Sequence, residues 1–225
     1  MKRAIVVAIS VILALVVAAP IASGQSSSQS QTLAQLTAAS WNWATSTSPS
    51  PLDGSYNGGA QCDNGDYVEG VIFLAGAIAG PTVERTCTVP ANTPILFSPF
   101  NYLCSAAFDP IQDVDDPQPY DIACAKPTTD AVMASPSSFY ARVDGKDANQ
   151  QRIASGLFQW TIPDDALGLE GLEAGTYEAA QDGLWVYLEK GLKKGNHRVE
   201  FGGTFTDSPF GTFEGTKVTY KLKAR

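Results

Sequence analysis

The chain has 225 residues, with 15 Lys plus Arg against 23 Asp plus Glu, one His, four Cys and a net charge of −8. That length suits one domain with a real hydrophobic core once a short leader is removed. A negative field of this size repels phosphate backbones and anionic headgroups, which sets nucleic acid and membrane surfaces aside as partners.

Lys2 and Arg3 precede an apolar run from Ala4 to Ala19, followed by Pro20 and the small residues Ala22 and Gly24. This is the layout of a secretory signal peptide over residues 1–24. The apolar run is short for a bilayer span, which favours cleavage over anchoring and leaves no membrane attachment afterwards. The protein is expected to be secreted, or held in the cell envelope, where cysteines oxidise. Residues 25–31, a Ser/Gln tract, read as a disordered leader. Residues 32–225 then form the folded domain.

From Thr32 to Thr45, Leu33, Leu36, Ala39 and Trp43 recur at helical spacing, with Thr32 as a capping residue. Trp41 and Trp43 cannot share one face of that helix, so they must cover different surfaces. Ser48-Pro49-Ser50-Pro51 ends it, and Asp53 to Asp66 reads as a loop. Val68 to Ala79, with Val71-Ile72-Phe73-Leu74, fits a strand buried on both faces. Thr82 to Val89 alternates as a second strand, and Ile95-Leu96-Phe97 supplies a third, which together predict a meander. Asn101 to Thr129 reads as a long acidic loop, and Thr128 to Pro136 as a helical turn. Phe139 to Val143, the turn Asp144-Gly145, and Ile153 to Ile162 continue the pattern. Leu184 to Leu188, Arg198 to Thr204 and Thr216 to Leu222 complete it, Val218, Tyr220 and Leu222 sharing one face. The sum is a mainly β chain: an antiparallel β-sandwich or jelly roll with one N-terminal helix and a long disulfide-stapled loop.

Cys62, Cys87, Cys104 and Cys124 contain no Cys-x-x-Cys pair and meet only one His, so disulfides are favoured over a zinc site. Three connectivities exist, and sequential pairing, Cys62 with Cys87 and Cys104 with Cys124, is the expected one.

Several stretches together resemble a widespread family of exported proteins without an established activity. They are Phe73-Leu74-Ala75-Gly76, Arg85-Thr86-Cys87-Thr88-Val89-Pro90, Pro94-Ile95-Leu96-Phe97, Val143-Asp144-Gly145-Lys146, Asp182-Gly183-Leu184-Trp185-Val186 and Gly195-Asn196-His197-Arg198-Val199. Trp41-x-Trp43 belongs to the same pattern, which covers most of the chain after the leader, while Ile72 stands where the family usually carries Trp or Phe. The resemblance implies an exported, all-β, disulfide-bearing domain and brings no catalytic residues.

His197, the single histidine, must serve any His-dependent mechanism, yet the chain has no Gly-x-Ser-x-Gly elbow for a hydrolase triad. The plainer expectation bonds its ring to a neighbouring carbonyl. Asp109, Asp113, Asp115 and Asp116, or Asp63 with Asp66, offer hard oxygen ligands for calcium, without the Gly and Glu positions of an EF-hand. The same residues are ordinary turn formers. Asp164, Asp165, Glu170, Glu173 and Glu178 could supply the facing carboxylates of a glycoside hydrolase. Tyr56, Tyr67, Tyr102 and Tyr120 lie in loop-like stretches where a ring can stack on a sugar, whereas Trp160 and Trp185 sit in apolar strands and read as core. No dinucleotide or phosphate-loop signature occurs, so no cofactor beyond calcium is expected. The leading expectation is a non-enzymatic exported protein that binds a glycan or another cell-surface component through its loops. A polysaccharide hydrolase using paired carboxylates is the alternative, and a structural envelope protein the third.

Overall fold

A computed structural model describes residues 24–46, 50–52, 70–77, 82–107, 122–164 and 173–225. Among them are two helices, α1 (Gly24–Ser46) and α2 (Ile122–Ala134), and eleven strands. The strands are β1 (Ile72–Leu74), β2 (Thr82–Val89), β3 (Ile95–Ser105), β4 (Ser138–Val143), β5 (Lys146–Asp147) and β6 (Gln151–Ala154). After them come β7 (Phe158–Ile162), β8 (Gly175–Leu188), β9 (Gly195–Ser208), β10 (Gly211–Glu214) and β11 (Lys217–Ala224).

The strands form the two sheets of a sandwich. The five-stranded sheet runs β1-β3-β8-β6, with β7 also on β8; the six-stranded sheet runs β2-β11-β9-β4-β5, with β10 on β9. Most pairs are antiparallel, but β1 joins β3 and β2 joins β11 in parallel. The expected meander is therefore corrected. The chain leaves the first sheet after β1, crosses to the second as β2, and returns as β3. Their burial explains the split. β1 is buried at every position, whereas β2 buries alternate residues and turns the others outward. A one-faced strand suits the outer edge of the second sheet.

Ile72, Ile95, Phe97, Val186, Val199, Phe201, Val218, Tyr220 and Leu222 fill the space between the sheets. Phe97 lies 5.0 Å from Phe201 by ring centroids. The outer face of the first sheet, carrying Phe73, Leu96, Ile153 and Trp185, is covered by Leu33 and Leu36 of α1. That second covering is why β1, β3 and β8 carry near-continuous apolar runs rather than alternation.

Helix α1 starts at Gly24, so the backbone of 25–31 is helical where a disordered leader was expected, and Thr32 lies inside the helix rather than capping it. No Gly or Pro interrupts the run from Gln25 to Ser46, and once residues 33–45 dock on the sheet, each added turn costs little. Trp41 packs edge-on against Trp160 at 6.1 Å and Trp43 against Phe73 at 5.7 Å, but the expected separation is only partial, since both also pack against Ala44, Leu52 and Ala75.

The expected loop over 101–129 is also corrected at both ends. Residues 101–105 extend β3, and α2 begins at Ile122. Ala125, Thr129 and Val132, spaced for one helix face, are fully buried. Cys104 and Cys124 are joined, with Cα atoms 6.1 Å apart, tying β3 to the first turn of α2. Cys87 is disulfide-bonded as well; Cys62, its expected partner, lies outside the described residues. Residues 1–23 of the expected signal peptide lie outside them too.

Candidate cleft and aromatic end of the sandwich

A cleft of about 290 Å³ opens where α1, the end of β1, a kink in β3, β9 and the start of β11 meet. Each wall has a local cause. In β3 the register slips between Phe97 and Phe100, because Pro99 has no N–H to give the ladder. Ser98 Oγ donates instead to Leu184 O at 2.7 Å. The bulge turns Ser98, Pro99 and Phe100 toward the cleft. Opposite it stands Gly183, where a Cβ would lie 2.4 Å from the Asn101 Cα and the Phe100 carbonyl oxygen, so only glycine lets the two strands approach here.

Arg85 builds a second wall. Alternation in β2 puts it on the buried face with Val83, Cys87 and Val89, and it is fully buried. Its Nη1 donates to Ala75 O at 2.7 Å, Gly76 O at 3.0 Å and Tyr220 Oη at 2.7 Å, while Nη2 donates to Pro51 O. Tyr220 Oη donates in turn to Ala75 O at 3.0 Å. These bonds hold residues 75–76 where β1 stops, satisfying carbonyls that no neighbouring strand takes up.

The third wall is α1, fixed to the first sheet by polar bonds as well as packing. Asn42 acts as a strand neighbour: Nδ2 donates to Gln159 O at 2.9 Å, and its Oδ1 accepts from Thr161 N at 2.9 Å. Thr45 Oγ1 donates to Thr161 O at 3.1 Å and accepts from Trp160 Nε1 at 3.1 Å. Deeper in, Gln181 Nε2 donates to Thr37 Oγ1 at 2.7 Å, and Gln181 Oε1 accepts from Trp185 Nε1 at 3.1 Å.

Beside the cleft mouth Phe100 stacks on Phe139 at 4.8 Å, and Phe205 meets both edge-on at 5.7 and 5.3 Å. Phe205 meets Phe213 at 4.7 Å and Phe210 at 6.0 Å, and Phe210 meets Tyr102 at 5.8 Å. Phe210 and Phe213, on the β9–β10 hairpin, remain 43% and 45% exposed. Sequence reasoning passed over this hairpin. The available signal was three phenylalanines within nine residues of a stretch otherwise made of Thr, Asp, Ser, Pro and Gly.

Of the sequence candidates, Tyr102 lies on β3 rather than in a loop, paired with Asp182, and joins the aromatic patch. Tyr56, Tyr67 and Tyr120 lie outside the described residues, as do Asp63, Asp66, Asp109, Asp113, Asp115 and Asp116. Among the described residues no three His, Cys, Asp or Glu groups gather where a metal could bind. Trp160 and Trp185 are core, as expected. Asp164, Glu173 and Glu178 are exposed around the β7–β8 hairpin and do not line the cleft, while Asp165 and Glu170 lie outside the described residues.

His197 does not line the cleft. Its Nδ1 lies 2.7 Å from Asp144 Oδ2 and its Nε2 2.8 Å from Lys193 O, so both ring nitrogens face acceptors. The hydrogen bond to Asp144 raises the imidazole pKa, against a smaller opposing effect of burial. Burial pulls Asp144 upward, but the hydrogen bonds from His197 and from Arg198 N outweigh it and hold the carboxyl below its ordinary value. Asp144 and Gly145 take positive φ of 51° and 76°, the geometry of a tight hairpin turn, and the histidine clasps that turn to the start of β9. A further ionic group ties α2 to the first sheet. The Arg152 guanidinium grips the buried Asp182 carboxylate through Nε at 3.0 and 3.1 Å and through Nη2, and reaches Asp130 at 2.6 Å.

Comparison with known proteins finds no matching family model, no matching curated protein and no matching solved structure.

Proposed function

We propose that this chain is an exported, non-enzymatic binding protein whose working surface is the aromatic end of the sandwich. The occupant is an extracellular component, such as a glycan, that stacks on exposed rings. The observation carrying this reading is the patch of Tyr102, Phe210 and Phe213, with two phenylalanines nearly half exposed on a hairpin tip. Contiguous exposed rings of this kind mark interaction surfaces rather than ordinary packing. Sugar rings present C–H faces that stack on such aromatics. Export rests on the leader pattern, and the Cys104–Cys124 bridge is in keeping with it. The exposed carboxylates around β7–β8 leave a polysaccharide hydrolase as the second reading.

The test is a glycan array and pull-down on insoluble polysaccharides, run beside a hydrolase panel. Retention that falls at least tenfold in the Phe210→Ala/Phe213→Ala variant, without release of reducing sugar, is the expected result. Sugar release would transfer the case to the hydrolase reading, and retention indifferent to the two phenylalanines would remove the patch.

A further inference from the structure

We infer that the end of the sandwich opposite the aromatic patch is a second interaction surface, a lysine-rich end that takes a linear acidic polysaccharide. It shares with the reading above only the extracellular setting. β9 runs from Gly195 at this end to Ser208 beside the aromatic hairpin, 14 residues, which at about 3.3 Å per residue sets the two surfaces about 40 Å apart. Sequence and register gather the charge. Between Val186 and Val199 the chain carries Lys190, Lys193, Lys194, His197 and Arg198 against Glu189 alone, and from Lys217 to Arg225 it carries Lys217, Lys221, Lys223 and Arg225 and no acid. Lys223 stands across the ladder from Asn196, Lys221 from Arg198, and Ala224 from Gly195, the neighbour of Lys194. The loop that bears Lys190, Lys193 and Lys194 is held against this edge. Asn92 N donates to Leu192 O at 2.7 Å, Ala91 N donates to Arg225 O at 2.8 Å, and Lys193 O lies 2.8 Å from His197 Nε2. The turn at Asp144-Gly145, clasped by the same histidine, brings Lys146 to the group.

Most of this charge is uncommitted. Lys146, Lys190, Lys193, Lys194 and Lys223 are exposed, and none of them forms an ion pair among the described residues. The neighbouring acids are taken: Asp144 by His197, Asp147 by Arg142, Glu84 by Lys221 and Glu200 by Arg198, which leaves Glu189. The net charge of −8 is therefore unevenly spread, and a local excess of one sign attracts its opposite even on an acidic chain.

The occupant follows from what this surface has and lacks. Among the described residues the exposed large apolar side chains are Leu157, Phe210 and Phe213, none of them at this end, so nothing here enters a bilayer or stacks on a base. The five free lysines are ammonium groups on flexible stems, without the planar fork that selects phosphate. The charges also turn a corner. Lys190, Lys193 and Lys194 sit on the end loop, while Lys223, Lys221 and Arg198 continue along the outward face of β11 and β9. A flat membrane would meet one of these surfaces, whereas a flexible chain of carboxylates follows both.

The experiment is calorimetric titration of the purified protein with polygalacturonate and with its fully methyl-esterified form, the same chain without charge. The acidic chain should bind and the ester should not. Raising NaCl from about 50 to 200 mM should weaken binding about twentyfold, for about three lysines that displace counterions at the single-strand slope of roughly −0.7 per charge. Lys193→Gln/Lys194→Gln, at exposed loop positions, should weaken it about tenfold. Lys126→Gln/Lys217→Gln removes as much charge elsewhere and should change it by less than about twofold. Phe210→Ala/Phe213→Ala should leave it intact, which separates this end from the aromatic patch. The inference is overturned if the native protein does not bind polygalacturonate, if the ester binds equally well, or if the two lysine pairs weaken binding alike. Tighter binding to duplex DNA or to phosphatidylserine vesicles at equal charge concentration overturns it in favour of those partners.

Discussion

Replacing Gln181 by Met tests whether the buried polar link between α1 and the first sheet is structural. Gln181 is fully buried on β8, and Met keeps its length and nearly its volume, so little of the loss comes from a cavity. Three bonds disappear. Thr37 Oγ1 still donates to Ala34 O at 2.8 Å, so losing the amide costs it little. The 3.3 Å contact to Ile153 O is long and worth little. Trp185 Nε1 is the decisive group, because its acceptor at 3.1 Å vanishes and the indole stays buried. An orphaned buried donor costs about 1–3 kcal/mol, so the whole substitution should cost about 2 kcal/mol, a large part of a typical domain stability of about 5–15 kcal/mol. Trp185→Phe removes the orphan by removing the donor, though it opens space of its own. In the double variant the two losses should therefore sum to less than the single ones, by about 1–2 kcal/mol. Urea denaturation followed by far-ultraviolet circular dichroism reads all four proteins without depending on the tryptophan signal. Additivity within about 0.3 kcal/mol would refute the argument, since Trp185 would then not depend on Gln181.

Other consequences follow from the same geometry. Replacing Cys104 and Cys124 together by Ala should lower stability by about 3 kcal/mol, the loop-closure entropy for residues 20 apart in sequence; an unchanged urea midpoint would contradict it. Arg85→Met strips donors from the carbonyls of Pro51, Ala75 and Gly76 and should cost about 2–4 kcal/mol, measured the same way. The His197–Asp144 clasp gives a signed pH effect. A raised histidine pKa stabilises fully below the ordinary value of 6.5, and that contribution disappears as pH rises through the folded value. A lowered Asp144 stabilises above 3.8 and loses its contribution as pH falls through the folded value. The stability gap between the native protein and His197→Gln should therefore be widest between about pH 4 and 6.5 and should shrink on the alkaline side, in a melting series across that range. A gap that grows toward pH 9 would contradict the clasp.

What the sequence made legible depended on whether a residue's surroundings are local. The alternation of β11 and the turn at Asp144-Gly145 are fixed by neighbours in the chain, and both stand where the pattern put them. Trp41 and Trp43 diverge in their ring partners, Trp160 and Phe73, yet converge on one cluster around Leu52, which the spacing did not show. The meander failed because apolar content does not say which sheet a strand joins. β2 pairs with β11, more than 130 residues away, and no short-range signal carries that choice. Helix α2 was expected only from Thr128 onward; its first half, Ile122 to Pro127, runs into a proline inside the helix, which local propensity disfavours.

The site follows the same division. Arg85 was legible in principle, since Val83, Arg85, Cys87 and Val89 share one face of an alternating strand. A charged residue in that apolar register has to be held by buried acceptors, and in the fold it braces a cleft wall. The cleft itself was not legible, because it exists only where α1, the β3 bulge and β9 converge from distant parts of the chain. Phe210 and Phe213 fall between. Their apolar character in a polar hairpin is written in the sequence, but the partners that gather them into one patch, Phe205 and Tyr102, are brought there by the long β9 strand and the extended end of β3. Of the four tyrosines expected in loops, Tyr102 alone lies among the described residues, and it stands on β3. Phe210 sits in the turn between β9 and β10, while Tyr102, Phe205 and Phe213 stand on strands, which hold those rings in fixed positions and lower the entropy lost when a partner binds.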